Sequence, residues 1–197
     1  MKDTIFALAT ANPGKIQEMS SILEIEGIRT ITRNDLGIDV EIQESGLTFM
    51  ENAIIKAQTI CEISGLASIG DDSGLSVDAL DGEPGVYSSR YGGDSLDDTG
   101  RCLHLLNKLD SIDQRGAKFV CAVACAFPDG TLISAVGECV GEIVRTMTGH
   151  SGFGYDPIFL PNGMNRTIGQ MSQEEKNTIS HRSKALKALV LELKNQI

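Results

Sequence analysis

Two adjacent aspartates, Asp71 and Asp72, are followed by Ser73 and Gly74 and form the most acidic candidate for chemistry in the chain. They come after a short apolar run that predicts a strand over 67–70. We therefore expect an acidic turn at a strand's carboxyl end, the edge where α/β sheets bind ligands. Adjacent ionised carboxylates repel each other, which favours a cation between or beside them. Their oxygen atoms indicate Mg²⁺ rather than zinc, and a solvated acidic turn is the alternative.

The segment Thr10-Ala11-Asn12-Pro13-Gly14-Lys15 joins a predicted strand, 5–9, to a predicted helix. Asn12 can cap that helix, and Pro13 is well tolerated at its first position. Free backbone N–H groups and the positive end of a helix attract phosphate, and Lys15 adds a full charge. The segment lacks the Walker A pattern, so an ordinary capped turn between strand and helix is the alternative.

A glycine-rich loop over 149–157 contains two aromatic residues, Phe153 and Tyr155, in a chain with no Trp and only 5% aromatic residues. Small neighbours allow a flat ligand to approach such rings. Stacking of a nucleic-acid base on an aromatic ring contributes about 1–3 kcal/mol. The loop is therefore a candidate base-binding segment, with a loop held by buried rings as the alternative.

Lys176, His181 and Arg182 form the last group of candidates. Lys176 could reach a phosphate or lie over a ring, and the other two could donate hydrogen bonds to a carbonyl oxygen on a base. An arginine at the start of a helix is slightly unfavourable with the helix dipole, which favours a functional role for Arg182. Two solvated residues at a helix start are the alternative.

The elements that must position these residues alternate between strand and helix. Thr48 and Glu51 match a capping box that opens a helix ending near Gly65. Glu41 and Glu44, in the polar stretch before it, could supply another carboxylate, although spacing alone does not place them. Further helices are predicted from 97 or 98 and after a second capping box at 172–175. Strands over 119–127 and 131–140 are joined by a Pro-Asp-Gly turn, so we predict an α/β fold with a mixed sheet.

Bulk properties exclude several classes of protein. The 197 residues suit a single domain, 1–197, or two lobes that share one sheet. A formal net charge of −10 argues against a nucleic-acid partner. Five cysteines without a C-x-x-C pair argue against a disulfide framework or a structural zinc site, and we expect Cys121 and Cys125 to be buried core residues. We find no signal peptide or membrane span and expect a cytoplasmic protein.

Taken in order, five blocks of the sequence resemble the inosine/xanthosine triphosphate pyrophosphatase family. They are TANPGK, LTFMENAIIKA, DDSGLSVDALDGEPGVYSSRYGG, FGYDPIF and EEKNTISHRSKAL. The resemblance covers nearly the whole chain. Ala11 stands where glycine is common and Pro13 where other small residues occur, but neither departure removes a charged group.

The resemblance implies Mg²⁺-dependent hydrolysis of ITP, dITP and XTP to the nucleoside monophosphate and pyrophosphate. Glu44 and Asp72 would hold Mg²⁺, and Asp72 would accept the proton of the attacking water. Substrate would be bound by the following residues: Thr10, Ala11, Asn12, Pro13, Gly14, Lys15, Lys56, Ser73, Phe153, Gly154, Tyr155, Asp156, Lys176, His181 and Arg182. The family further implies a homodimer and an elongated mixed central sheet flanked by helices, with a cleft between two lobes.

Base choice follows from the direction of hydrogen bonds. Hypoxanthine and xanthine carry a carbonyl where adenine carries an amino group, and a donor-only side chain such as Arg182 pairs with the carbonyl. Three other hypotheses remain. The first is a pyrophosphatase with another base preference, for example modified pyrimidines. The second is a catalytically silent nucleotide sensor, and the third is a haloacid-dehalogenase-type phosphatase. The last lacks the D-x-D-x-T order, and a sensor would have less need of Lys15, Glu44, Lys56 and Asp72 together.

Overall fold

Six strands form one mixed sheet in the computed structural model, which describes residues 4–196. The order across the sheet is β2-β1-β3-β4-β5-β6. The strands are β1 Ile5–Leu8, β2 Arg29–Thr32, β3 Ser68–Val77, β4 Gly116–Ala126, β5 Leu132–Ile143 and β6 Phe159–Pro161. The helices are α1 Pro13–Ile25, α2 Phe49–Ser64, α3 Asp98–Lys108, α4 Gln173–Ile179 and α5 His181–Gln196. β1 pairs in parallel with β2 and β3, and β5 pairs antiparallel with β6, which confirms the predicted mixed α/β sheet.

Strand β3 corrects one prediction. The expected strand over 67–70 and the acidic turn after it are instead one ten-residue strand that continues to Val77. Asp71 and Asp72 lie inside it and are 0% and 7% exposed. Aspartate has a low propensity for strands. Here cationic and amide side chains on both sides of the sheet bind these two carboxylates, and such tertiary contacts override propensity.

The predicted helix starts are confirmed. The Asn12 side chain accepts a hydrogen bond from the Lys15 N–H at 3.1 Å and caps α1. The Thr48 hydroxyl accepts from the Glu51 N–H at 3.1 Å, and the Glu51 carboxylate accepts from the Thr48 N–H at 3.0 Å, which completes the capping box of α2. Gly65 ends α2 in the left-handed conformation, with φ of 69°, which glycine adopts at little cost.

The chain forms two compact units. The first comprises residues 4–73, 121–137 and 181–196, and its core packs β1 side chains against the apolar stripes of α1 and α5. The second comprises 74–120 and 138–180, and its core gathers side chains of β3, α3, β4 and the segment around β6. Each unit therefore buries an apolar cluster of its own.

Helix α2 approaches the sheet closely because small residues line the contact. Ala53 and Ala57 of α2 form a cluster with three alanines of β4. A Cβ atom on Gly70 would lie 2.7 Å from the Ala57 backbone nitrogen and closer still to the Ala53 carbonyl oxygen. This close approach brings the polar side chains of α2 within hydrogen-bonding distance of β3.

The predicted burial of Cys121 and Cys125 is confirmed. The structure also buries Cys61, Cys102 and Cys139, and all five cysteines are free. Burial raises the pKa of Cys102, Cys121 and Cys125 to about 12 in each case. Within residues 4–196, no helix is long and apolar enough to cross a membrane.

Candidate active site

One side of β3 presents Asp72 to two residues that were predicted to accompany it. The Lys56 ammonium lies 3.1 Å from Asp72 Oδ1 and 3.2 Å from Glu44 Oε1. Lys56 comes from α2, whereas Glu44 comes from the segment before that helix and is more exposed. The structure thus brings together Glu44, Lys56 and Asp72, which the sequence could not place relative to one another.

Asn52 was not among the predicted site residues. Its side chain is buried, and Nδ2 donates a hydrogen bond to Asp72 Oδ2 at 3.1 Å. Asn52 precedes Lys56 by four residues, so the two side chains leave the same face of α2. That spacing within the ENAIIKA block is the pattern that could have identified it.

Burial shapes the ionisation of this group. Burial raises the pKa of Asp72 above its ordinary value, although attraction to Lys56 acts in the opposite direction. Burial would lower the pKa of Lys56, but attraction to Asp72 and the nearby carboxylates outweighs it and raises that pKa. One ammonium shared between carboxylates is thus strongly held in its charged form, whereas Asp72 becomes a stronger base.

Asp71 faces the other side of the sheet. Successive side chains of a strand point to opposite faces, and Asp71 Oδ2 lies 3.0 Å from the Lys15 ammonium and 3.2 Å from the Arg182 guanidinium. Burial would raise the pKa of Asp71, but attraction to Lys15 and Arg182 holds it well below the usual range. Each carboxylate therefore has cationic side chains beside it, which offset the repulsion between the two neighbouring aspartates. A metal ion beside Asp72 stays a prediction.

Arg182 joins three elements of the first unit. Its guanidinium is fully buried and donates to Asp71 on β3, to Ser73 Oγ at 2.8 Å and to Glu18 on α1. Contact of Arg182 with a base stays a prediction. Glu18 was missed by the sequence analysis, although it lies one turn before the buried Ile22 and thus on the inner face of α1.

The predicted phosphate segment forms the start of α1. Thr10 is buried, and its hydroxyl accepts from the Asn12 N–H at 3.2 Å, whereas Ala11, Asn12 and Pro13 are exposed. Gly14 and Lys15 are half-buried in the first turn. The exposed backbone at a helix start suits an anion, and a phosphate contact there stays a prediction.

The predicted base-binding segment lies in the second unit and is held by a buried ion pair. Asp156 Oδ2 accepts from the Lys176 ammonium at 2.6 Å and from the Phe153 N–H at 3.0 Å. The same ammonium lies 4.5 Å from the centroid of the Phe153 ring, a cation–π contact. The Gly154 N–H donates to Asp98 Oδ2 at 2.7 Å.

Tyr155 and His181 are both buried. The Tyr155 hydroxyl donates to the Ser88 carbonyl oxygen at 2.9 Å, and its ring belongs to the core of the second unit. His181 is the first residue of α5, in the first unit. The roles of both in base binding stay predictions.

Glu44 and Asp72 offer oxygen ligands of the type that Mg²⁺ prefers. Among residues 4–196, no three or more His, Cys, Asp and Glu side chains are grouped to hold a metal ion. Mg²⁺ in nucleotide sites is commonly bound by one or two carboxylates together with substrate phosphates and water, so a two-carboxylate set fits that mode.

Comparison with known proteins gives consistent matches over nearly the whole chain. The family model described as Ham1 family matches residues 6–192. A dITP/XTP pyrophosphatase of Desulforamulus reducens is 42% identical over 192 residues, which cover 96% of this chain and 95% of that protein. A dITP/XTP pyrophosphatase of Bacillus subtilis is 43% identical over 191 residues, which cover 96% of each.

Solved structures agree with those matches. The Ham1 protein of Staphylococcus aureus superposes with a TM-score of 0.87 at 38% identity, covering 98% of this chain and 100% of that one. A nucleoside-triphosphatase / dITP/XTP pyrophosphatase of Mycobacterium abscessus superposes with a TM-score of 0.75 at 42% identity, covering 94% of this chain and 98% of that one.

Proposed function

The chain belongs to the Ham1 family, and on this premise we propose that it hydrolyses non-standard purine nucleoside triphosphates such as ITP, dITP and XTP. The products are the nucleoside monophosphate and pyrophosphate. Relatives that are 42–44% identical over at least 95% of this chain carry the name dITP/XTP pyrophosphatase, which supports this choice of substrate.

The single observation that carries the proposal is the convergence of Glu44, Lys56 and Asp72. An ammonium within 3.2 Å of two carboxylates is a charge arrangement suited to a metal-bound polyphosphate, since it supplies both anionic ligands and a cation. A nucleotide sensor without catalysis would have no need to bury Asp72 and so strengthen it as a base.

In the proposed reaction, water attacks the α-phosphorus of the substrate. A bond forms between the water oxygen and phosphorus, the bond from phosphorus to the α,β-bridging oxygen breaks, and pyrophosphate leaves with the electron pair. Asp72 accepts the proton of the water, either directly or through a second water. Lys15 and Lys56 offset the negative charge that develops on the leaving group.

Mg²⁺ is the metal we propose, with Glu44 and Asp72 as its protein ligands. When bound, it neutralises phosphate charge and lowers the pKa of a bound water. Asp72 would then serve both as ligand and as base, which favours proton transfer through an intervening water.

The base would be recognised by Phe153, Gly154, Tyr155, Asp156 and Lys176, with His181 and Arg182. The cation–π contact of Lys176 with the Phe153 ring supports this, because it fixes an aromatic surface on which a base can stack. The triphosphate would be bound by Lys56, Ser73 and the segment from Thr10 to Lys15.

Product identity is the decisive test. Incubation of the full chain with ITP and Mg²⁺ should release IMP and pyrophosphate, which chromatography and a pyrophosphate assay detect separately. IDP with free phosphate would overturn the proposal. A panel that includes ATP, GTP and modified pyrimidine triphosphates then tests the base preference, and preference for a pyrimidine would contradict the purine assignment.

We further propose a cytoplasmic homodimer. The substrate belongs to the nucleotide pool, which supports the location. Sedimentation velocity of the full chain tests the assembly: a species of about twice the 21.1 kDa chain mass is expected, and a monomer at micromolar concentration would contradict it.

A further inference from the structure

Asn52 is a buried amide, 2% exposed, that uses both of its polar atoms. Its Nδ2 donates to Asp72 Oδ2, and its Oδ1 accepts from the backbone N–H of Gly46 at 2.8 Å. An amide nitrogen only donates and its oxygen only accepts, so these two contacts fix the orientation of the side chain. Asn52 therefore connects β3 with the segment that carries Glu44.

The contact at Gly46 leaves no space for a side chain. A Cβ atom there would lie 2.7 Å from Asn52 Oδ1 and 2.6 Å from Glu51 Cβ. Residues 41–46 form neither helix nor strand, so their placement depends on such side-chain contacts. The close approach of Gly46 to Asn52 thus fixes the backbone two residues after Glu44.

Asn52 and Lys56 divide the carboxylate of Asp72 between them. Asn52 donates to Oδ2 and Lys56 to Oδ1, and both side chains also reach the 44–46 segment. Their contributions differ in kind. An incoming phosphate attracts the Lys56 ammonium, whereas it exerts no comparable pull on the neutral amide of Asn52.

We infer that Asn52 is a positioning residue that holds Glu44 and Asp72 at a fixed separation and keeps Asp72 oriented when Lys56 engages substrate. The effect on catalysis rests on the proposed function. The hydrogen-bonded connection from Gly46 through Asn52 to Asp72 rests on the contacts given above. Residues that orient metal ligands typically alter metal affinity or activity by about 10–100-fold when they are replaced.

Two variants separate the two contacts. Asn52→Ala removes both. Asn52→Asp keeps an acceptor for the Gly46 N–H but loses the donor to Asp72 and sets a second carboxylate against it. The matched control is Ser68→Ala, at a position on β3, the strand that also carries Asp72. It removes a buried hydroxyl that donates to the Ala7 carbonyl oxygen at 3.3 Å, far from the Glu44 and Asp72 carboxylates.

Three readouts are measured on the full chain: hydrogen exchange of the Gly46 amide by NMR, Mn²⁺ binding to the free protein by electron paramagnetic resonance, and kcat and KM with ITP and Mg²⁺. Asn52→Ala should speed Gly46 exchange, weaken Mn²⁺ binding and lower kcat by about 10–100-fold with KM little changed. Asn52→Asp should lower kcat similarly but leave Gly46 protected. Ser68→Ala should lower the melting temperature without altering any of the three readouts.

The inference is overturned if Asn52→Ala behaves like Ser68→Ala, with lower stability but unchanged Gly46 exchange, Mn²⁺ affinity and kcat. Should Asn52→Ala fail to fold, Asn52→Asp decides, because normal kcat and Mn²⁺ affinity in that variant would contradict the role. If the parent chain released no pyrophosphate, only the proposed function would be refuted. Hydrogen exchange of the Gly46 amide in the free protein would still test whether Asn52 connects Gly46 with Asp72.

Discussion

At the scale of single residues, Asp71 and Asp72 differ in role although they are neighbours in sequence. Asp71 is held ionised by Lys15 and Arg182, and its other oxygen, Oδ1, is buried without a hydrogen-bond partner among residues 4–196. Asp72 lies against one shared ammonium, and burial raises its pKa. The first is suited to holding cations in place and the second to accepting a proton.

Replacing Asp72 by Asn should remove the proton acceptor and one metal ligand while preserving shape. We expect kcat on ITP to fall by about 10²–10⁴-fold, the contribution typical of general acid–base catalysis. Circular dichroism should show a folded protein. Glu142→Gln, at an exposed position on β5, serves as the control with parental activity. Near-normal turnover by the Asp72 variant would refute its assignment as base.

Asp71 should make stability depend on pH in the acid range. Its pKa is lowered in the folded protein from an ordinary value of 3.8, so the unfolded chain binds more protons below about pH 4. The stabilisation is therefore complete above that pH and is lost as pH falls further. Urea unfolding followed by circular dichroism should show a flatter decline between about pH 5 and 3 for Asp71→Asn than for the parent.

The control for that measurement is Asp113→Asn, because the Asp113 side chain is 97% exposed and should leave the pH profile parental. Parallel profiles for the parent and the Asp71 variant would contradict a lowered pKa at Asp71.

At the scale of elements, the contact of α2 with β3 depends on Gly70. An alanine there would press its Cβ against backbone atoms of Ala53 and Ala57, which cannot rotate away. We expect Gly70→Ala to lower the free energy of unfolding by about 1–3 kcal/mol or more and to lower kcat, because α2 carries Asn52 and Lys56.

Gly100→Ala is the matched control, since Gly100 lies in α3 beside side chains that can move. It should be neutral or stabilising by up to about 1 kcal/mol. Equal unfolding free energies for the Gly70 variant and the parent, measured by urea titration, would show that α2 can shift without cost.

The sequence predicted those elements whose ends depend on local chemistry. Asn12 and Thr48 cap their helices through side chain–backbone contacts within three residues, which sequence displays directly. The continuation of β3 through Asp71 and Asp72 depends instead on contacts with Lys15, Asn52 and Arg182, which are distant in sequence. The same reason hid Glu18, because an acidic residue in a helix suggests a solvated face until its buried partner is known.

At the scale of the whole molecule, a chain with a net charge of −10 must bind a negatively charged triphosphate. Acidic residues far from the site repel the substrate over long distances, so salt screens their effect more strongly than that of the lysines beside the site. The Debye length falls from about 30 Å at 0.01 M salt to about 8 Å at 0.15 M. We expect kcat/KM for ITP at fixed free Mg²⁺ to rise by about twofold over that range, because screening weakens the repulsion.

Sodium and potassium chloride at equal ionic strength should give the same rise, which excludes a specific effect of either cation. A steep fall of kcat/KM with salt would instead mean that the field of Lys15 and Lys56 dominates the approach of substrate.

The alternation of Asp71 and Asp72 across the sheet limits which insertions and deletions the gene tolerates. Removing a single codon between Ser68 and Asp71 would move every later side chain of β3 to the opposite face. The proton acceptor would then face α1 and α5, and the cation-holding aspartate would face α2. Removing two codons would keep the faces but shorten the strand. Length variation among relatives is therefore expected in the loops that flank β3 and not within its first half.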